Sequence, residues 1–95
     1  MILSPDPDVG GFTAICPAMP GAITEGGTRQ EALDAMRGVM DAWLDIAREY
    51  GEAPLVESPR VIAAEVASVL EDRDELGWDN SIEMTMLAPA ELVPA

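Results

Sequence analysis

The sequence predicts an α+β fold, in the order β-β-β-α-(α)-β, with an antiparallel sheet of three to four strands backed by one long helix. Three observations predict it. Residues 1–27 hold short apolar or alternating segments separated by Pro- and Gly-rich turns. The stretch from Arg29 to Tyr50 repeats apolar residues at spacings of three and four. Ile82-Glu83-Met84-Thr85-Met86 alternates strictly and is the strongest single strand signal.

Residues 1–4 allow a short first strand. Ser4-Pro5-Asp6-Pro7-Asp8-Val9-Gly10-Gly11 is turn chemistry: Pro sets φ, Asp side chains bond nearby backbone, and Gly admits positive φ. In Phe12-Thr13-Ala14-Ile15-Cys16, alternation puts Phe12, Ala14 and Cys16 on one face. A hairpin then joins strands one and two. Pro17-Ala18-Met19-Pro20-Gly21 is a second tight connection, leading into a third strand over residues 22–25. Thr28 and Glu31 form a Thr-x-x-Glu capping box. The Thr28 hydroxyl is placed to accept from the Glu31 N–H, and the Glu31 carboxylate to reach back to the Thr28 N–H.

The first helix is expected from Arg29 to about Tyr50, about 33 Å at roughly 1.5 Å per residue. Ala32, Leu33, Met36, Val39, Met40, Trp43, Ile46, Ala47 and Tyr50 form its buried stripe. Gly38 inside it suggests close approach to a strand, and Gly51 suits the residue that ends it. Residues 52–57 make a Pro-containing linker. Ser58-Pro59 signals a second helix start, and Ile62, Val66, Val69 and Leu70 give a narrower stripe over residues 60–73. In the last strand Ile82, Met84 and Met86 are expected to face inward and Glu83 and Thr85 outward. The expected division is one domain over residues 1–88 and a C-terminal tail over residues 89–95.

Composition narrows the chemistry. Ninety-five residues suit one domain with a modest core, and 48% apolar content supplies it. With four aromatics and six Met, that core is aliphatic and sulfur-rich, although Met also serves adaptable binding surfaces. Eighteen acids stand against five Arg and no Lys, a net charge of −13. Such a chain repels phosphates, so no direct nucleic-acid binding is expected, whereas a basic protein would be steered toward it. The absence of His removes triad catalysis and imidazole acid–base chemistry. The single Cys16 lies among apolar neighbours and reads as a buried thiol. No run is long enough to span a membrane and the N-terminus has no signal-peptide pattern, so a cytoplasmic protein is expected. No cofactor, no metal and no enzymatic activity are expected. Glu25 and Glu83 are the only strand carboxylates a sheet could present together, and Gly10-Gly11 and Gly26-Gly27 lack the Lys and spacing of a phosphate loop. Trp78 reads either as an exposed interaction residue or as packing over a helix end.

An ordered series of motifs carries a resemblance. Asp6-Pro7-Asp8-Val9-Gly10-Gly11-Phe12-Thr13-Ala14 is followed by Pro17-Ala18-Met19-Pro20-Gly21. Thr24 to Leu33, then Trp43-Leu44 and Gly51-Glu52-Ala53-Pro54, complete it. Over residues 3–54 this resembles the HicB family of antitoxins. The resemblance implies a degraded RNase H-like unit without nuclease residues, and a small basic mRNA-cleaving toxin, HicA, as partner. Residues 55–95 are acidic and read as a helix and a strand, unlike the DNA-binding module typical of the family. Candidate partner-binding residues are Asp6, Asp8, Glu25, Asp34, Asp41 and Asp45; Pro20, Gly21, Thr28 and Glu31 are structural. The alternative is a solitary HicB-like protein with a structural or regulatory role and no toxin. A homo-oligomer is also expected, since a sheet with one helical side leaves a face and an edge to cover.

Overall fold

The computed structural model describes residues 1–54 and 58–87. Its elements are β1 (Ile2–Pro5), β2 (Phe12–Ile15), β3 (Ile23–Gly26), α1 (Arg29–Glu49), α2 (Pro59–Glu75) and β4 (Glu83–Met84). They form one four-stranded sheet in the order β3-β2-β1-β4, with every neighbouring pair antiparallel. The predicted fold class is therefore the observed one. The tail over residues 89–95, and with it the domain end at residue 88, lies outside the described residues, as do linker positions 55–57.

The core lies between the sheet and α1. Leu3, Ala14 and Cys16 project from the strands onto Ala32, Leu33, Met36 and Met40, with Met1, Met19 and Ala22 closing the cluster. Phe12 packs at its margin, so the predicted face of β2 is the buried one. Ile46 and Tyr50 belong to the predicted stripe but are 57% and 74% exposed. The reason is length. A helix of 21 residues runs about 31 Å, whereas strands of four residues run about 13 Å, and in the last turns of α1 Ala47 is buried while Ile46 and Tyr50 are not.

The strand-to-helix junction is built more tightly than capping alone requires. Thr28 accepts from the Glu31 N–H at 3.1 Å. The Glu31 carboxylate takes the Gly27 N–H at 2.9 Å, one residue earlier than the expected Thr28 donor. The buried Thr24 hydroxyl donates to the Ala32 carbonyl at 3.0 Å and ties β3 to the first turn of α1. Gly26 lies directly beneath that turn, where a Cβ would stand 2.4 Å from the Ala32 nitrogen. Gly38, by contrast, meets nothing within 4 Å and is exposed, so no strand approaches it. At the far end Gly51 adopts φ 69° and follows the C-cap Tyr50, as the sequence predicts. Pro20 and Gly21 shape the β2–β3 turn, and the Trp43 indole donates to the Pro20 carbonyl at 3.3 Å.

The second helix changes the expected architecture. Ile2 is fully buried but does not belong to the α1 cluster, because alternation turns it to the opposite face. α2 lies across the β1 and β2 part of that face and leaves Ile23 and Glu25 of β3 exposed. Ser58 caps α2 by accepting from the Val61 N–H, and Val69 is its buried apolar residue. Ile62, Val66 and Leu70 are half-buried. Near the end of α2, Arg73 is only 2% exposed. Its guanidinium donates to the Ser4 hydroxyl at 2.8 Å, to the Pro5 carbonyl, and to the Asp79 carbonyl and carboxylate. The Trp78 ring lies over it at 5.3 Å, and the Trp78 indole donates to Asp8 at 3.1 Å. Trp78 is thus half-buried packing over a helix end. One argument for a homo-oligomer, a wholly bare sheet face, holds in this fold only for β3; the outer strands β3 and β4 remain.

The last strand is shorter than expected, and its phase is inverted. Leu3 pairs with Glu83 and Ile2 with Met84, so Glu83 shares the α1 face and Met84 the α2 face. Met84 is partly exposed and Met86 is 97% exposed. The start of α1 offers this edge the Arg29 side chain rather than an apolar surface. Arg29 Nε lies 2.9 Å from Glu83 Oε2.

Candidate functional site

The predicted acidic positions separate into two surfaces. Asp34, Asp41 and Asp45 fall at offsets of 7 and 11 residues along α1, within about 20° of one line at roughly 3.6 residues per turn. Asp34 accepts from Gln30 at 2.8 Å and Asp45 pairs with Arg48 at 3.3 Å, so part of this line is occupied by its own helix. Asp6 and Glu25 belong elsewhere. They line one cleft of about 320 Å³ with Val9, Gly10, Phe12 and Thr13, at the β1–β2 turn. Asp6 holds that turn by accepting from the Asp8 and Val9 N–H groups. Asp8 accepts from the Trp78 indole. Glu25 pairs across from Thr13 and faces the α2 side, away from α1. The fold therefore joins Asp6 to Glu25 and keeps both apart from the α1 line.

Glu25 and Glu83, the strand carboxylates considered for a cation, sit on opposite outer strands and on opposite faces. Among the described residues no group of three or more His, Cys, Asp or Glu side chains is arranged to hold a metal ion. Cys16 is buried and in no disulfide. No helix among the described residues is long and apolar enough to cross a membrane.

Electrostatic shifts mark structural contacts rather than chemistry. The Glu83 carboxyl is held below its usual range, chiefly by the hydrogen bond from Arg29 and also by its charge, against a partial desolvation. Asp79 is lowered chiefly by the Ser81 backbone N–H, with further contributions from the Ser81 side chain and Arg73. A depressed folded pKa contributes stability above the unfolded value, roughly 4.3 for Glu, and that contribution is lost as pH falls through the folded value. The melting temperature is therefore expected to fall below about pH 4.5, and Glu83→Gln to flatten part of that fall. Both partners are 44% exposed, so the difference is small and shrinks in high salt. Melting curves between pH 3 and 7 check this; parallel curves for the two proteins would refute it.

Sequence reasoning missed two features. Arg73, expected only as the end of α2, is the most deeply placed charged group among the described residues. Ile23 is 56% exposed on an outer strand, beside a hollow formed with α2. Neither was visible in a periodicity, because both depend on where α2 packs. In comparisons with known proteins, no family model, no curated protein and no solved structure matches the chain.

Proposed function

We propose that this chain is a HicB-like antitoxin module that binds and neutralises a small basic mRNA-cleaving toxin through an acidic surface. The observation that carries the reading is the ordered motif series over residues 3–54, from Asp6-Pro7-Asp8 through Pro20-Gly21 and Thr28-x-x-Glu31 to Gly51-Glu52-Ala53-Pro54. The net charge of −13 adds to it, since it steers a basic partner to the surface. A partner that cleaves mRNA places this work in the cytoplasm. The reading makes the chain a binding module and not an enzyme, and gives it no cofactor.

Co-expression with a HicA-like toxin tests it. The expected result is restored growth and a stable complex on sizing that dissociates as salt is raised. Absence of both rescue and complex would sink the reading. A second reading, a solitary HicB-like oligomer without a toxin, draws on the two outer strands and on exposed Met84 and Met86. Light scattering on the isolated chain separates the two: an assembly larger than a monomer supports self-association, and a monomer mass removes it.

A further inference from the structure

We infer that the outer edge of β3 receives an extended segment of a basic protein partner by strand addition, with an apolar and a basic side chain two residues apart. This rests on reading the chain as a binder of a basic protein, and adds where and how contact is made.

The register exposes the backbone needed. The Cys16 N–H donates to the Ala22 carbonyl, so Ala22 is turned toward β2. In an antiparallel pair this direction alternates, which turns Thr24 and Gly26 toward β2 as well and leaves the N–H and C=O of Ile23 and Glu25 directed outward. The outer strand β3 thus presents two consecutive sets of ladder groups to a partner chain.

Two hollows flank this edge. At the Ile23 end, a groove of about 290 Å³ runs between β3 and α2, lined by Ile15, Pro17, Ile23, Val61, Ala64 and Glu65. At the Glu25 end lies the cleft that Asp6 and Glu25 share. Side chains two apart on an added strand share a face. One apolar side chain therefore fits the groove while a Lys or Arg two residues along meets the Glu25 carboxylate, at the mouth of the cleft that Asp6 also lines. Among the described residues, no basic side chain lines either hollow.

Charge and register select a basic partner over a second copy of this chain. A second copy brings another −13. Pairing β3 with itself about Thr24 would set Ile23 against the Glu25 of the other copy, with no cation for either carboxylate. The other outer strand is a poorer host, since β4 has two residues and Glu83 is already held by Arg29.

The test uses the full chain and two blocked peptides of alternating threonine, one with valine and lysine two apart, the other with glutamate replacing lysine. Amide shifts and hydrogen exchange are read by NMR. The lysine peptide is expected to bind and to protect the Ile23 and Glu25 amides, and the glutamate peptide to bind at least tenfold more weakly. Ile23→Pro removes an outward donor while leaving the ladder to β2 intact, and is expected to weaken the lysine peptide tenfold or more. Glu25→Lys, which does not touch the ladder, is expected to reverse the preference between the peptides. Equal binding of both peptides, binding unchanged in both variants, or shifts confined to β4 would overturn the proposal. Peptide binding without toxin rescue would leave this edge as a reader of basic strands and remove the antitoxin reading. Rescue that survives Ile23→Pro and Glu25→Lys would keep the antitoxin reading and place its contact elsewhere.

Discussion

Gly26→Ala is expected to lower stability by about 3 kcal/mol or more and the melting temperature by at least about 12 °C, at roughly 4–8 °C per kcal/mol for a domain of this size. A Cβ at position 26 would stand 2.4 Å from the Ala32 nitrogen, 2.7 Å from the Glu31 carbonyl carbon and 2.9 Å from the Ala32 Cα. All three are backbone atoms of the first turn of α1, so no side chain can rotate away. Relief requires α1 to lift from β3. That would stretch the Thr24–Ala32 hydrogen bond and open the seat of Ala32 and Leu33 in the core. Gly38→Ala is the matched control. Its Cβ meets nothing within 4 Å, and alanine in a helix interior is expected to add up to about 1 kcal/mol. Thermal melts of the two variants should therefore move in opposite directions. A Gly26→Ala protein melting within about 2 °C of the wild type, well under 1 kcal/mol, would show that the junction is not packed this way.

The Arg73 substitutions carry the second large effect. Arg73→Ala is expected to cost about 2–4 kcal/mol. The guanidinium is 2% exposed and serves the Ser4 hydroxyl, the Pro5 and Asp79 carbonyls and the Asp79 carboxylate. Removing it leaves buried acceptors without that donor, and takes the cation from beneath Trp78. The cost starts lower than the roughly 3–5 kcal/mol of breaking a fully buried ion pair because the Asp79 side chain is 73% exposed and can be solvated. Arg73→Lys keeps the charge but not the planar fork that reaches both β1 and the Asp79 turn, so it should recover less than half of the loss. The effect should be local first. Trp78 emission should shift to the red, and α2 amides should exchange faster than those of α1. Unchanged Trp78 emission and uniform exchange in Arg73→Ala would refute the role of Arg73 in seating α2.

Much of the α1 side of the molecule was legible in the chain. Phe12, Ala14 and Cys16 alternate, and Ala32, Leu33, Met36 and Met40 recur at three and four, because each pattern answers to a single partner surface. Thr28 and Glu31 were legible for a similar reason, since a cap is settled within one turn of helix. Patterns that answer to two neighbours were not. Ile82-Glu83-Met84 alternates cleanly, but periodicity does not say which residues face α1. The pairing of Leu3 with Glu83 decided that, and it put a carboxylate beside Arg29. The six acidic positions were read as one class, whereas the fold turns Asp6 and Glu25 to a cleft on one side and strings Asp34, Asp41 and Asp45 along α1 on the other.

By itself the sequence determined the element order, the fold class, the α1 core and the acidity that any partner would meet, since these follow from local periodicity, capping and composition. The tertiary structure alone decided that Arg73 ties α2 to β1 across the second face, that Gly26 sits against the first turn of α1 with no room for a Cβ, and that β3 is left as an outer strand between an apolar groove and an acidic cleft. The physical reason is range. Capping and amphipathicity act over a few residues, whereas Arg73 reaches Ser4 across 69 positions of chain, and such a contact exists only once the sheet does.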